Sequence, residues 1–166
     1  MDKDKKIVEG RGSVSRNPEF LILGEAPGRK ENEQGEPFVG KAGSVLNYWI
    51  KKAKVTSFYI SNVVPLLPLN SQGKIRRPTK AEIVYFQPFV HRIIQKVNPK
   101  KIIVLGDSAA WALTRKKIKE IIGEVEMIYD RPLTGIYHPA RYIRLGKAKT
   151  IGSDDFFKAV KILKIK

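Results

Sequence analysis

The chain contains no cysteine. That excludes disulfides and any metal or iron–sulfur site built on thiolates. No apolar run approaches the roughly 18 residues of a membrane span. No apolar segment follows the early lysines, as a secretory signal would require. An intracellular protein that does not enter a membrane is therefore expected. Acids are scarce: 16 Asp and Glu stand against 32 Lys and Arg, a net charge of +16 over 166 residues. Such a field favours polyanions, whether DNA, RNA or an anionic membrane surface. Neither G-x-x-x-x-G-K-[ST] nor G-x-G-x-x-G occurs, so the glycines form no recognised nucleotide cradle.

What is present suits one domain with a real core, since 42% of the residues are hydrophobic. Residues 1–16 are polar, charged and glycine-bearing, and are expected to be a flexible basic segment ahead of a single domain over 17–166. Short apolar runs at Phe20–Leu23, Phe58–Val64, Lys101–Gly106 and Leu133–Pro139 read as buried strands. Helical spacing covers Lys41–Lys54. Thr79, with Glu82 three places on, caps a helix expected to run to about Val97. A short helix follows near Ser108–Leu113, "VEMIYD" is a possible extra strand, and a terminal helix is capped by Ser153. Alternating strands and helices predict an α/β fold: a three-layer α/β/α sandwich around a mainly parallel four-stranded sheet. Function in such folds lies at the carboxyl ends of the strands, here Gly24–Gly28, Asn62–Pro65, Gly106–Ser108 and His138–Ala140.

One stretch runs against the charge balance. "LILGEAPGRKENEQGEPFVGKAG", Leu21 to Gly43, carries four glutamates (25, 31, 33 and 36) among glycines and prolines. Pro27 removes an amide that a phosphate cradle would use, and the acids would repel phosphate. The glycines instead suit tight turns or close backbone approach to a neutral planar group.

This stretch resembles the first motif of the family-four uracil-DNA glycosylases: a Gly-Glu-Ala-Pro-Gly turn, then acids, then Gly-x-Pro-Phe-Val-Gly. "FYISNVV" resembles that family's middle strand, "KIIVLGDSA" its next strand and turn, and "IYHPARYIR" its second catalytic motif. The four blocks occur in order and cover most of Phe20–Arg144. The resemblance implies a glycosylase fold and an enzyme that flips uracil out of DNA and hydrolyses its glycosidic bond. That leaves an abasic site for base excision repair. The DNA is single- or double-stranded and the enzyme a monomer. Alternatives are a glycosylase for another deaminated base such as hypoxanthine, or a non-catalytic DNA-binding subunit. The family also carries an iron–sulfur cluster on four cysteines. This chain has Leu66 and Phe86 near two of those places and lacks the N-terminal pair, so no cofactor and no metal are expected. Leu66, Leu67, Leu69 and Phe86 are expected to pack where the cluster would lie. Asn32 stands where the family usually has Asp.

On this resemblance, Asn62 pairs with the uracil edge and Phe38 stacks on the flipped base. His138 donates to the base oxygen where negative charge gathers. The turn Gly24, Ala26, Pro27 and Gly28 shapes the pocket. Ala26 replaces the Asp of the best-known uracil-DNA glycosylases, which leaves Glu31 as the catalytic acid, with Glu25 nearby. Arg141 and Arg144 hold phosphates and Tyr142 or Ile143 wedges into the stack. Lys74, Arg76 and Arg77 are further phosphate contacts, as is the run Arg115–Lys119. Taken singly, these residues have plainer readings: Asn62 as a turn residue, Phe38 as core, and the segments His138–Lys149 and Arg115–Lys119 as solvated surface.

Overall fold

A computed structural model describes residues 5–165. Four parallel strands form its centre: β2 (Phe20–Gly24), β3 (Phe58–Asn62), β4 (Lys101–Leu105) and β6 (Arg131–Ile136). They are the strands expected from the apolar runs. Two antiparallel edge strands extend them, β1 (Gly10–Gly12) on β3 and β5 (Glu126–Ile128) on β6, giving the order β1-β3-β2-β4-β6-β5. The chain leaves β2 to one side for β3, then returns to the other side for β4. The sheet therefore has a switch point between β2 and β4, where open α/β sheets bind their ligands.

Successive residues of a strand face opposite sides. Phe20 and Ile22 accordingly join Ile60, Ile103, Leu105 and Ile136 in one core layer, and Leu21 and Leu23 join Ile102, Val104 and Leu133 in the other. The first layer is covered by α2 (Lys41–Lys52), α7 (Pro139–Arg144) and α8 (Ser153–Ile165). The second lies under α3 (Lys80–Tyr85), α4 (Gln87–Val97), α5 (Asp107–Thr114) and α6 (Ile118–Ile121). α1 (Arg29–Gln34) belongs to the loop after β2. Trp49 is fully buried against Phe156 and Tyr142, and its Nε1–H donates to Ala148 O at 2.7 Å, so its one polar atom is satisfied. Fully burying one such large apolar side chain contributes about 1.5–3 kcal/mol. No helix among the described residues is long and apolar enough to cross a membrane.

Three sequence expectations need correction. The segment expected to be flexible over 1–16 contains β1 and a fully buried Val8, whose N–H donates to Pro65 O at 2.9 Å. Residues 1–4 of it lie outside the described residues. The helix expected to run to about Val97 is split at Phe86; Pro88 has no N–H to give the Val84 carbonyl and sits in the first turn of α4, where that donor is not needed. Ser153 is not a cap. It has helical backbone (φ −60, ψ −44) and follows a π turn over Ala148–Gly152. Beyond His138 the chain turns into helix α7, with Pro139 in its first turn.

Candidate active site

The parallel register sets Gly24 level with Asn62, and Leu105 level with Ile136. Strand pairing continues past the ends, since Val63 N–H donates to Gly24 O and Val64 N–H to Glu25 O, both at 3.0 Å. Glu25 and Asn62 are thus set by backbone and not by loop chance. At this edge opens a cleft of about 360 Å3, lined by Glu25, Arg77, Gly106, Asp107, Tyr137, His138, Arg141 and Arg144 among others.

Behind the cleft lies a tight buried group. Phe38 stacks on His138 with ring centroids 5.7 Å apart and planes 28° apart. A Cβ on Gly24 would fall 2.4 Å from Phe38 Cζ and 2.6 Å from Asn62 Oδ1, so only glycine fits between them. Asn62 is 2% exposed, and its Oδ1 is a buried polar atom with no hydrogen-bond partner. Leaving such an atom unpaired costs about 1–3 kcal/mol, so this acceptor calls for an explanation. His138 caps α7: Ala140 N–H donates to its Nδ1 at 3.1 Å. An accepting Nδ1 carries no proton, so the neutral ring holds its proton on Nε2. Burial lowers the His138 pKa below the ordinary 6.5. Glu25 opposes that shift, and Arg144 and Arg77 add to it. The ring is neutral at physiological pH and is a donor through Nε2 alone.

The two expected acids occupy different places. Glu25 is in the cleft. Its Oε2 accepts from Ser108 Oγ at 2.5 Å and from Arg77 Nε at 3.1 Å. Glu31 is not among the residues lining the cleft. Its Oε1 accepts from Gly28 N–H at 3.0 Å, and its Oε2 accepts from Val39 N–H at 2.8 Å and Gly40 N–H at 2.7 Å. A carboxylate that accepts from three amides holds a loop. Ala26 and Gly28 are half-buried and Pro27 buried in the turn between the two acids.

Of the DNA-binding residues expected, Arg77, Arg141 and Arg144 line the cleft. Tyr142 does not fit the wedge role. It is 3% exposed, packs edge-on against Trp49, and its hydroxyl donates to Asp155 Oδ2 at 2.8 Å; burial, then this bond, raises its pKa. Ile143 is half-buried. The apolar side chain that does stand out there is Leu145, 55% exposed beside Arg144. The sequence signal for it was an apolar residue closing a basic helix. Arg76 is also withdrawn from the phosphate contacts. Its Nη1 and Nη2 donate to Glu82 at 2.6 and 3.0 Å, and its Nε to Leu69 O at 3.0 Å. Lys74 is exposed in the same loop. A second hollow of about 440 Å3 adjoins the cleft through Arg77 and Asp107. Lys80, Lys116, Lys117 and Trp111 line it, the last with Arg115 over its ring.

The iron–sulfur cluster implied by the family-four resemblance does not fit this chain. Four thiolates are its ligands, and the sequence has none. Leu67 is buried and Leu66 and Leu69 are half-buried in the loop after β3, while Phe86 packs on the second core layer. Polar bonds, not a packed apolar plug alone, order that loop. Asn70 Oδ1 accepts from the amides of Gln72 and Lys74, and Arg76 ties the loop to α3.

Comparison with known proteins agrees with this geometry. The family model described as "Uracil DNA glycosylase superfamily" matches residues 11–164. The chain is 33% identical over 152 residues to a type-4 uracil-DNA glycosylase of Pyrobaculum aerophilum, covering 84% of this chain and 74% of that protein. It is 31% identical to one of Saccharolobus solfataricus, covering 98% and 78%. It is 28% identical to one of Thermotoga maritima, covering 95% and 83%.

Proposed function

The chain belongs to the uracil-DNA glycosylase superfamily, and on that premise we propose that it excises uracil from DNA as a monofunctional, monomeric glycosylase working without a metal. The observation that carries this reading is the buried group of Phe38, Asn62 and His138 around Gly24, with Asn62 Oδ1 unpartnered. Flipping a nucleotide costs a few kcal/mol, which closed base contacts must repay. Uracil presents N3–H to Asn62 Oδ1, an acceptor waiting for a donor. Cytosine would present a lone pair there and leave both acceptors unpaired, which is how a polar site rejects an analogue.

As the bond breaks, the sugar turns positive and the base negative. His138 Nε2–H donates to the base oxygen where charge gathers, and a neutral donor does this without binding the product as an ion pair. One such donor is worth about 10²–10³ in rate. Glu25 is the acid that faces the sugar and the incoming water. Glu31 serves the same reaction by holding the loop that carries Phe38. Arg77, Arg141 and Arg144 hold phosphates, Leu145 fills the gap left by the flipped base, and the Lys80–Lys117 hollow continues this cationic track for the DNA backbone.

The test is strand scission by alkali after incubating end-labelled oligonucleotides, bearing one uracil or one hypoxanthine, with the protein in EDTA. Scission at uracil is expected, and Asn62→Asp is expected to admit cytosine. Scission only at hypoxanthine would move the substrate. No scission with DNA binding retained would leave a non-catalytic DNA-binding subunit.

A further inference from the structure

The base-stacking wall is held in an unusual backbone. Phe38 has φ +56, the left-handed region that bulky side chains rarely adopt. Such a conformation persists only when its surroundings over-determine it. The segment 37–40 is gripped from two sides by opposite charges. Its amides at Val39 and Gly40 donate to Glu31, at 2.8 and 2.7 Å. Its carbonyls accept from Arg11: Nε–H to Pro37 O at 2.8 Å and Nη2–H to Phe38 O at 2.9 Å. Arg11 Nη2 also donates to Asn47 Oδ1 of α2 at 2.9 Å. There is no room for slack, since a Cβ at Gly43, in the first turn of α2, would lie 1.7 Å from Phe38 O. Arg11 is itself fixed by β1, where it sits opposite Ile60 of β3, two residues before Asn62.

We propose that Arg11 is a positioning residue for base recognition: acting with Glu31, it locks Phe38 in its left-handed conformation so that the stacking ring is in place before the base arrives. The edge strand is then part of the active-site scaffold, and the base wall is wired to the strand that ends in Asn62. Arg11 touches no substrate. It acts through the carbonyls of residues 37 and 38. This rests on the uracil-excising reading for what the ring stacks on, and on geometry alone for what holds the ring.

The experiment compares wild type, Arg11→Ala, Arg11→Lys, Phe38→Ala and the Arg11→Ala/Phe38→Ala double variant. Misplacing a group by about 1 Å can cost on the order of 10²-fold. Arg11→Ala is therefore expected to lower kcat/KM on uracil DNA by about that factor and to weaken inhibition by free uracil, while leaving affinity for abasic DNA unchanged. In the Phe38→Ala background it is expected to add little. Amide hydrogen exchange at Val39 and Gly40 is expected to quicken. Arg11→Lys, which keeps the charge but not the fork, should fall between wild type and Arg11→Ala, and it carries the kinetic and exchange tests where Arg11→Ala does not fold. Additive losses, an equal loss of abasic-DNA affinity, or unchanged exchange at those amides would overturn the proposal. If wild type releases no uracil, the functional reading fails and the exchange arm still decides the role of Arg11.

Discussion

Two long loops leave neighbouring strands of this sheet, one after β2 and one after β3, and a single glutamate organises each. Glu31 and Glu82 both stand three places after a helix N-cap and accept that cap's amide, Gly28 N–H at 3.0 Å and Thr79 N–H at 2.8 Å. They differ in what else they hold. Glu31 takes only backbone amides, those of Val39 and Gly40. Glu82 takes a guanidinium, Arg76, which in turn reaches Leu69 O. The first loop carries Phe38 and is fixed by backbone dipoles. The second spans the region where the related family implies a metal cluster, and an ion pair fixes it. The contrast teaches that the backbone around Phe38 is held by groups with one possible orientation, while the loop after β3 is tied by a longer and more flexible cation.

The largest effect should come from breaking the first loop. Glu31→Ala strands three amides and is expected to cost about 2–4 kcal/mol of stability, as charge-assisted bonds to partly buried groups do. It should also lower kcat/KM on uracil DNA by on the order of 10²-fold. Denaturant titration and steady-state kinetics check both.

Breaking the second loop should have a smaller effect that depends on pH. The Arg76 bond, followed by the Thr79 amide and the charge of Arg76, overcomes burial and holds the Glu82 carboxyl at about 2, against an ordinary 4.5. A depressed carboxyl pKa stabilises the fold above the ordinary value, and that contribution fades as pH falls towards the folded one. The gap in thermal midpoint between wild type and Arg76→Ala should therefore be full above pH 4.5 and close as pH approaches 2. A gap that does not change with pH would mean Arg76 acts by packing.

The smallest effect sharpens the contrast by salt. Arg76 and Glu82 are each about one-third exposed, at 34% and 33%. Molar salt should narrow the gap between wild type and Arg76→Ala, because exposed pairs are screened. It should leave the gap to Glu31→Ala nearly unchanged.

How much of this was legible in the sequence follows from the same physics. The four central strands were legible because a sheet covered on both faces needs continuous apolar runs. The Thr79–Glu82 cap was legible because its chemistry is local. β1 was not, since Gly-Arg-Gly has neither alternation nor apolar content, and only pairing with β3 makes it a strand. The tandem arginines could not be told apart by sequence: a loop has no period to say that Arg76 turns to Glu82 while its neighbour reaches Glu25. Tyr142 was misread for a related reason. An aromatic among arginines suggests DNA, but the helical spacing of α7 turns it onto Trp49. The quoted motifs placed Glu25, Phe38, Asn62 and His138 at one end of the sheet, yet which glutamate enters the cleft depends on hydrogen bonds that no motif records.

The pairing of Gly10 with Ser61 has a consequence in time. Arg11 is synthesised early, but its strand has nothing to pair with until β3 has been made. At about 5–20 residues per second, the intervening chain takes roughly 3–10 s to synthesise. In the second half of that interval the Phe38 segment is complete but unclamped. The Phe38 segment is therefore clamped only after its own residues are made, by an arginine synthesised before them.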